Sequence, residues 1–540
     1  MYDVLPIAAL VASDCIIGMV AYSKKQELVF RRILTAASIV AGLAFIVQAA
    51  ASLWVTHGIT EVEAIIAAQA TALSRGAGLY YDLNSYPFTV SPYGPLLYGL
   101  EATAAWLGFS PMLAGRVISL LALTVIVWLV YRLVALYSEN RYSPWTGALL
   151  AASTANLVTW GSVGQSDLLA LMFSVAALER YCTYQVRGND RALILSAVFI
   201  AASIFTKQTF LAAGAAISLL HLLHSPKRGL RYVASLGAAG IAIAATLNWA
   251  TAGGYWSNAV LANLNPFSAA KLGDQLEYFA FTATALSLLA AAGAAAPKAR
   301  RLHPFVIYLG FSAVIFLATA SKIGSDLNYQ TETVVALSLC AGLALERLRF
   351  FPLLFAGDKG WVTLLQIPLL FHVVLNGAVT GKVALQRVGR DLARQDQFNA
   401  LSTLIDPSSR LLSVEVDPLL QTGRLIEVEP LIYTLLVDAE MADPEPVLDD
   451  LRHGRFDRVF LYENLLDANR PDLGLEAPSL PPAHLQAIAE EYSLVRHVPG
   501  PLMDGVYVYA PKGAAVGLSP GSASGEPLIV GHTTRRIGSQ

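Results

Sequence analysis

Residues Pro95–Phe109, PLLYGLEATAAWLGF, form an apolar run that is short for a membrane span and carries an acid, Glu101, near its middle. A helix needs about 20 apolar residues to cross roughly 30 Å of hydrocarbon. Counted as a span, this run reverses the side of every later loop. Read as an interfacial or re-entrant helix packed against protein, it leaves the later loops as they stand.

The chain around it settles the matter. Of 540 residues, 55% are hydrophobic and only 14% charged, and the mean hydropathy is +0.53, which marks a polytopic membrane protein. Runs of spanning character occur at 33–55, 113–136, 144–162, 168–185, 191–206, 208–223, 232–250, 277–296, 303–320, 331–345 and 360–379. A further run at 4–21, broken by Asp14, reads as an extra helix or an uncleaved signal anchor. The expected fold is an all-α polytopic domain of about 11 to 12 transmembrane helices with outer juxtamembrane helices.

With Pro95–Phe109 kept out of the bilayer, Lys24/Lys25/Arg31/Arg32, Arg132/Arg141, Arg180/Arg187/Arg191, Lys227/Arg228/Arg231, Lys298/Arg300/Arg301 and Arg347/Arg349 fall at every second loop. The positive-inside rule assigns those loops to the cytoplasm. Segments 57–112, 163–167, Lys207, 251–276, 321–330 and everything beyond about Thr380 then face outward. Net charge is −2, which gives no case for nucleic acid. Cys15, Cys182 and Cys340 lie in apolar stretches without CxxC spacing and read as small buried hydrophobes.

From about Gly381 the composition turns soluble. Short β-type runs, RLLSVEV, RFDRVFLY and VYVYA, alternate with helical stretches such as PPAHLQAIAEEY. They predict a small α/β domain over 381–511, outside the cytoplasm, and a disordered tail over 512–540.

The outward loops hold isolated charges. ITEVEAII, Ile59–Ile66, opens an amphipathic helix; Thr60 and Glu63 fit a capping box, and Glu61 suits the helix dipole. Asp82, among Tyr80, Tyr81, Tyr86 and Tyr93, reads as a turn residue within an interfacial aromatic belt. Arg116 heads a span where cations are rare, and Asp167 opens another and fits an N-terminal cap. Lys207 sits between two apolar runs with no room for a long loop, which makes it a functional suspect. Lys322, Asp326, Tyr329 and Glu332 form a further cluster, and His57 reads as a surface imidazole or as a metal ligand beside nearby acids. Carboxylates near several cations at one interface suit group transfer from an anionic lipid headgroup: a base takes the acceptor's proton, and Arg and Lys neutralise the leaving phosphate.

These stretches resemble the GT-C superfamily of membrane glycosyltransferases, in particular the bacterial branch related to protein O-mannosyltransferases and the aminoarabinose transferase of lipid A. Val62-Glu63-Ala64 matches an acidic triplet, DEA, in which Val62 replaces the aspartate; LAGRVISLL matches with Arg116, and GQSDLLAL with Asp167. The likeness covers roughly residues 33–350. It implies a polyprenyl-phosphate sugar donor and an extracytoplasmic acceptor at a multi-pass protein of the inner (plasma) membrane. Glu63, with Asp167, would be catalytic. Arg116, Lys207 and Lys322 would bind the donor phosphate, while Asp82, Tyr93 and Tyr329 would shape the pocket or hold the acceptor; a divalent metal stays open. The rival readings are a transporter or flippase and a non-catalytic assembly or sensor protein working through its outer domain.

Overall fold

The computed structural model describes residues 24–263, 265–295, 303–322, 324–344, 359–406, 408–466, 479–501 and 504–513. The run at 4–21, Cys15, the Lys298 and Arg347 clusters and nearly all of the tail lie outside them.

Every apolar run from 33 to 379 is helical. In chain order α1 is Lys24–Trp54, α2 Glu61–Ser74, α3 Pro95–Trp106, α4 Pro111–Tyr137, α5 Ser143–Ser153, α6 Ala155–Gly161 and α7 Ser166–Arg187. There follow α8 Asp190–Ile204, α9 Ala212–His224, α10 Pro226–Ala250, α11 Gly254–Ala259, α12 Ala269–Ala294, α13 Pro304–Thr319, α14 Thr331–Gly342 and α15 Lys359–Ser402. Among the described residues five stretches are long and apolar enough to cross a membrane: Arg32–Trp54, Pro111–Tyr137, Pro226–Ala250, Ala269–Ala294 and Gln366–Ser402. The other runs form shorter pieces. The run at 144–162 breaks at Thr154 into α5 and α6, and α6 meets α7 at 117° across Ser162–Gln165. That sharp bend lifts Gly164 and Asp167 to one end of the bundle.

The bundle core is aliphatic, with Leu133, Val134, Leu150, Leu171, Leu178 and Leu339 all buried. Lipid gives no hydrophobic drive between helices, so small residues set the closest approaches. At Gly293 of α12 a Cβ would lie 1.8 Å from the Cys340 carbonyl of α14. Cys182 and Cys340 are buried free thiols. Arg132 and Arg180, from two of the clusters assigned to the cytoplasm, meet on Glu179.

Pro95–Phe109 does not extend into a span. Its helix α3 ends at Trp106, starts on Pro95 behind Gly94, and packs against α2 and α4. Glu101 points inward and is buried.

Helix α15 continues without interruption through residue 381, where the composition changes. Its last turns belong to the second domain: Phe398 and Leu401 pack with Val416, Phe460 and Val508, and also with Ala64, Ala67 and Ala68 of α2. Helix α2 is thus the seam between bundle and domain. The domain holds β1 Leu411–Ser413, α16 Asp417–Gln421, α17 Pro430–Asp438, α18 Glu445–Arg452, β2 Arg458–Leu461, α19 Pro482–Glu491, β3 Tyr492–Val498 and β4 Val506–Pro511. Its sheet has the order β1-β2-β4-β3, parallel only between β1 and β2. The loop before α3 joins it: Phe88 N donates to Glu427 O, and Glu429 N donates to Phe88 O.

Candidate active site

Two charged clusters lie side by side at the end of the bundle that meets the second domain. The first is built on Arg116, which leaves the first turns of α4 beneath the C-terminus of α1. Helix α4 is fixed there by Pro111 at its start and by Ser110, whose hydroxyl accepts from Leu113 N. Arg116 is 1% exposed. Its Nε and Nη2 donate to Glu63 Oε1 and Oε2, each at 2.9 Å. Nη1 donates to the Ser52 and Val55 carbonyls, and Nη2 also to that of His57. A guanidinium has five N–H groups, and all are used.

Glu63 is closed in the same way. Oε1 also accepts from Gly164 N and Oε2 from Ile59 N, both at 2.6 Å. A carboxylate has about four lone-pair sites, and none is left. The capping role is realised too, since Thr60 Oγ1 accepts from Glu63 N and also from Gln165 Nε2. Gly164 permits the approach: a Cβ there would stand 3.0 Å from Glu63 Oε1 and 3.1 Å from Arg116 N.

Three residues beyond Gly164, Asp167 opens the second cluster. Its Oδ1 accepts from Lys207 Nζ at 2.7 Å, and Lys207 is 2% exposed. The ammonium lies 5.0 Å from the Tyr93 ring centre and 4.9 Å from that of Tyr329, both within cation–π range. Tyr93 is brought there because Gly94 N bonds the Thr206 carbonyl and Gly94 sits against Phe205, where a Cβ would be 2.0 Å from the carbonyl oxygen. Asp167 Oδ2 has no hydrogen-bond partner among the described residues, and Asp167 lines a small cavity with Thr209, Tyr329 and Glu332.

The residues singled out from sequence therefore separate. Glu63 and Arg116 form one cluster, and Asp167, Lys207, Tyr93 and Tyr329 the other. Lys322 is at the same end, on a turn paired with Phe267, and its Nζ reaches the Asn263 carbonyl at 3.4 Å; no described contact joins it to Lys207. Asp82 is exposed and its Oδ1 accepts from Asn84 N at 3.2 Å, as its turn reading predicts. His57 is buried rather than on the surface, with Nδ1 against Gly58 O and Nε2 against Asp391 O. A neutral imidazole carries one N–H, so it donates to one of these two carbonyls. Among the described residues no three His, Cys, Asp or Glu side chains are grouped to hold a metal.

A third group was not found from sequence. Between α2 and the second domain, Glu415 accepts from Arg394 at 3.3 Å and from Tyr462 OH at 2.9 Å, and Gly58 N donates to Asp417 Oδ1 at 2.6 Å. Glu61 is half-buried beside them. Burial foremost, then the Glu415 carboxylate, pushes Glu61 up to about 7, against the pull of Arg394. The same burial raises Asp417 to about 6. In Glu101 burial, with the Glu63 charge nearby, holds the carboxyl well above its usual range, and neither of its oxygens has a hydrogen-bond partner among the described residues. Its placement in an apolar run was the sequence signal for it. For Glu415 and Asp417 that signal was faint: two acids at alternate positions closing RLLSVEVDP.

No protein-family model matches the chain, and no curated protein matches it in sequence. Solved structures do. ArnT from Cupriavidus metallidurans in the apo state superposes with a TM-score of 0.62 at 11% identity, over 87% of this chain and 97% of that one. The same protein bound to undecaprenyl phosphate gives 0.60 at 12% identity, with the same coverage. The chain shares the fold of ArnT. The matched share of 87% is longer than the sequence likeness, which reached only from about residue 33 to about residue 350.

Proposed function

We propose that the chain transfers a sugar from a polyprenyl-phosphate carrier to an acceptor on the outer face of the bacterial inner membrane. The observation that carries this is Lys207, a buried ammonium held between two tyrosine faces and one carboxylate, in a fold shared with ArnT bound to undecaprenyl phosphate. A buried lysine at membrane depth is costly and marks a function. Lys207 stabilises the charge that develops on the phosphate as its bond to the sugar breaks, and Asp167 orients the ammonium. Lys322 and Tyr329 border the same end. Transport, the rival reading, finds no support in the matched fold.

The acceptor hydroxyl needs a base. Glu63 has no lone pair to spare, and Val62, at the aspartate position of the triplet, is 37% exposed and carries no acid. We assign the base to Glu61, which heads the same helix turn and faces the second domain. A base near pKa 7 is suited to neutral pH. Attack of the acceptor oxygen on the anomeric carbon then passes its proton to Glu61 while the C–O bond to phosphate breaks.

Comparison of polyprenyl-phosphate sugars and surface glycans, by mass spectrometry of membranes with and without the gene, tests the reaction class. An unchanged lipid and glycan profile sinks the proposal. For the base, Glu61→Gln lowers transfer by about 100-fold or more and removes the acid limb near pH 7 from the pH–rate profile. Stability moves the other way. With a folded pKa of about 7 and an unfolded one of about 4.3, the folded chain holds more protons between those values, so stability falls as pH rises through that window. Glu61→Gln removes this penalty, so at pH 8 the variant melts no lower than the wild type. A variant that melts lower at pH 8, or one that transfers normally, removes Glu61 from the role.

A further inference from the structure

A groove of about 740 Å³ runs between α8, α9 and α10. Its two ends differ in chemistry. Tyr184, Asp190, His221, Arg228, Arg231 and Tyr232 line one end, and Val198, Ala239 and Ile243 line the other. The polar end is far from Lys207. Asp190 starts α8 and Ile204 ends it beside the Lys207 loop, so about 22 Å of helix separates them at 1.5 Å per residue.

Several features point to a ligand. Arg228 and Arg231 are exposed, and neither has a hydrogen-bond or ion-pair partner among the described residues. His221 lines the groove and is 2% exposed, and its buried Nε2 has no hydrogen-bond partner among the described residues. The Tyr184 and Tyr232 rings pack edge-on against it, and Tyr232 OH is fixed by Ser196 Oγ at 2.9 Å. Helix α10 buries only Gly229, so it stands off α8 and leaves the groove open along its length. From Arg231 to Ile243 that length is about 18 Å, comparable with an extended acyl chain. Two guanidiniums against the single carboxylate of Asp190 give the mouth a positive balance, and basic pockets between helices suit anionic headgroups.

We propose that this groove binds one anionic phospholipid, with its phosphate on Arg228 and Arg231, a headgroup or glycerol hydroxyl donating to His221 Nε2, and one acyl chain laid between α8 and α10. The site is separate from the transferase reading and does not depend on it. A sugar donor whose phosphate sits at Lys207 cannot place that phosphate at Arg228 as well.

The test uses the full chain in detergent, with phosphatidylglycerol or phosphatidylcholine added as mixed micelles. Phosphatidylglycerol raises the melting temperature of the wild type and stays bound as a single adduct in native mass spectrometry, while phosphatidylcholine does neither. Arg228→Gln with Arg231→Gln weakens that binding about 30-fold. Ala197→Trp fills the groove without touching a charge and also removes the adduct. Equal stabilisation by phosphatidylcholine or by inorganic phosphate overturns the proposal. So does a double arginine variant that keeps its adduct, or displacement of the phospholipid by an equal amount of undecaprenyl phosphate.

Discussion

Replacing Arg116 by alanine is expected to leave little folded protein. The change removes five hydrogen bonds at once and strands the buried Glu63 carboxylate with only the backbone donors of Ile59 and Gly164. Breaking a buried pair by removing one partner costs about 3–5 kcal/mol. The three freed carbonyls at the end of α1 add about 1–3 kcal/mol for each that stays buried without a donor. Domains are stable by only about 5–15 kcal/mol, so the loss is comparable with the whole. Arg116→Lys does not rescue it, because an ammonium has three donors and no fork to grip both carboxylate oxygens. Glu63→Gln follows the same logic: four donors converge on a group that now offers one oxygen and adds two N–H donors of its own. Sequence alone predicts that this variant folds and fails to transfer. The geometry predicts that it melts lower as well, whereas Glu61→Gln does not. Thermal unfolding followed by size-exclusion chromatography in detergent separates the cases, and a Glu63→Gln variant with wild-type melting would show that the cluster does not hold the fold.

The difference between those expectations marks what the chain makes legible. Hydropathy gave the helices, since the apolar runs are helical, although among the described residues only five stretches have the length and apolarity to cross a bilayer. Charge asymmetry grouped loops that the structure gathers at one end of the bundle, and Asp167 and Lys207 stood out as isolated charges between apolar runs. What local pattern cannot supply is partnership. Arg116 and Glu63 are 53 residues apart, and nothing nearby tells whether an acid heading a helix faces solvent, a substrate or a guanidinium. The capping box was the one local clue that Glu63 was spoken for, and the structure realises its Thr60 half, while the Glu63 carboxylate takes Ile59 N rather than Thr60 N. The seam with the second domain was still less accessible, since Glu61 meets Glu415 and Asp417 from more than three hundred positions away. Strand β3, YSLVRHV, was missed because a register shift between Leu494 and Arg496 breaks the alternation that identifies a strand.

Lys207 and Asp167 allow the donor-phosphate proposal to be separated from a purely structural role. Lys207→Met alone leaves a buried carboxylate unpaired and should cost about 3–5 kcal/mol, so its inactivity would be ambiguous. The double variant Lys207→Met with Asp167→Leu is the decisive one. Replacing both members of a buried pair by apolar groups of similar volume is often neutral for stability. Tyr93 and Tyr329 lose a cation but keep an apolar side chain between their faces, so the double variant is expected to melt within a few degrees of the wild type. Transfer is another matter. A charge-assisted hydrogen bond to a leaving phosphate contributes about 1.5–3 kcal/mol, and at 1.36 kcal/mol per decade its loss lowers turnover by about 10- to 100-fold. The defect should appear whichever acceptor is used, because the lost contact is to the carrier. A double variant that is stable and transfers at the wild-type rate would mean that the pair only holds α7 to the 205–211 loop, and the phosphate would have to be sought at Lys322.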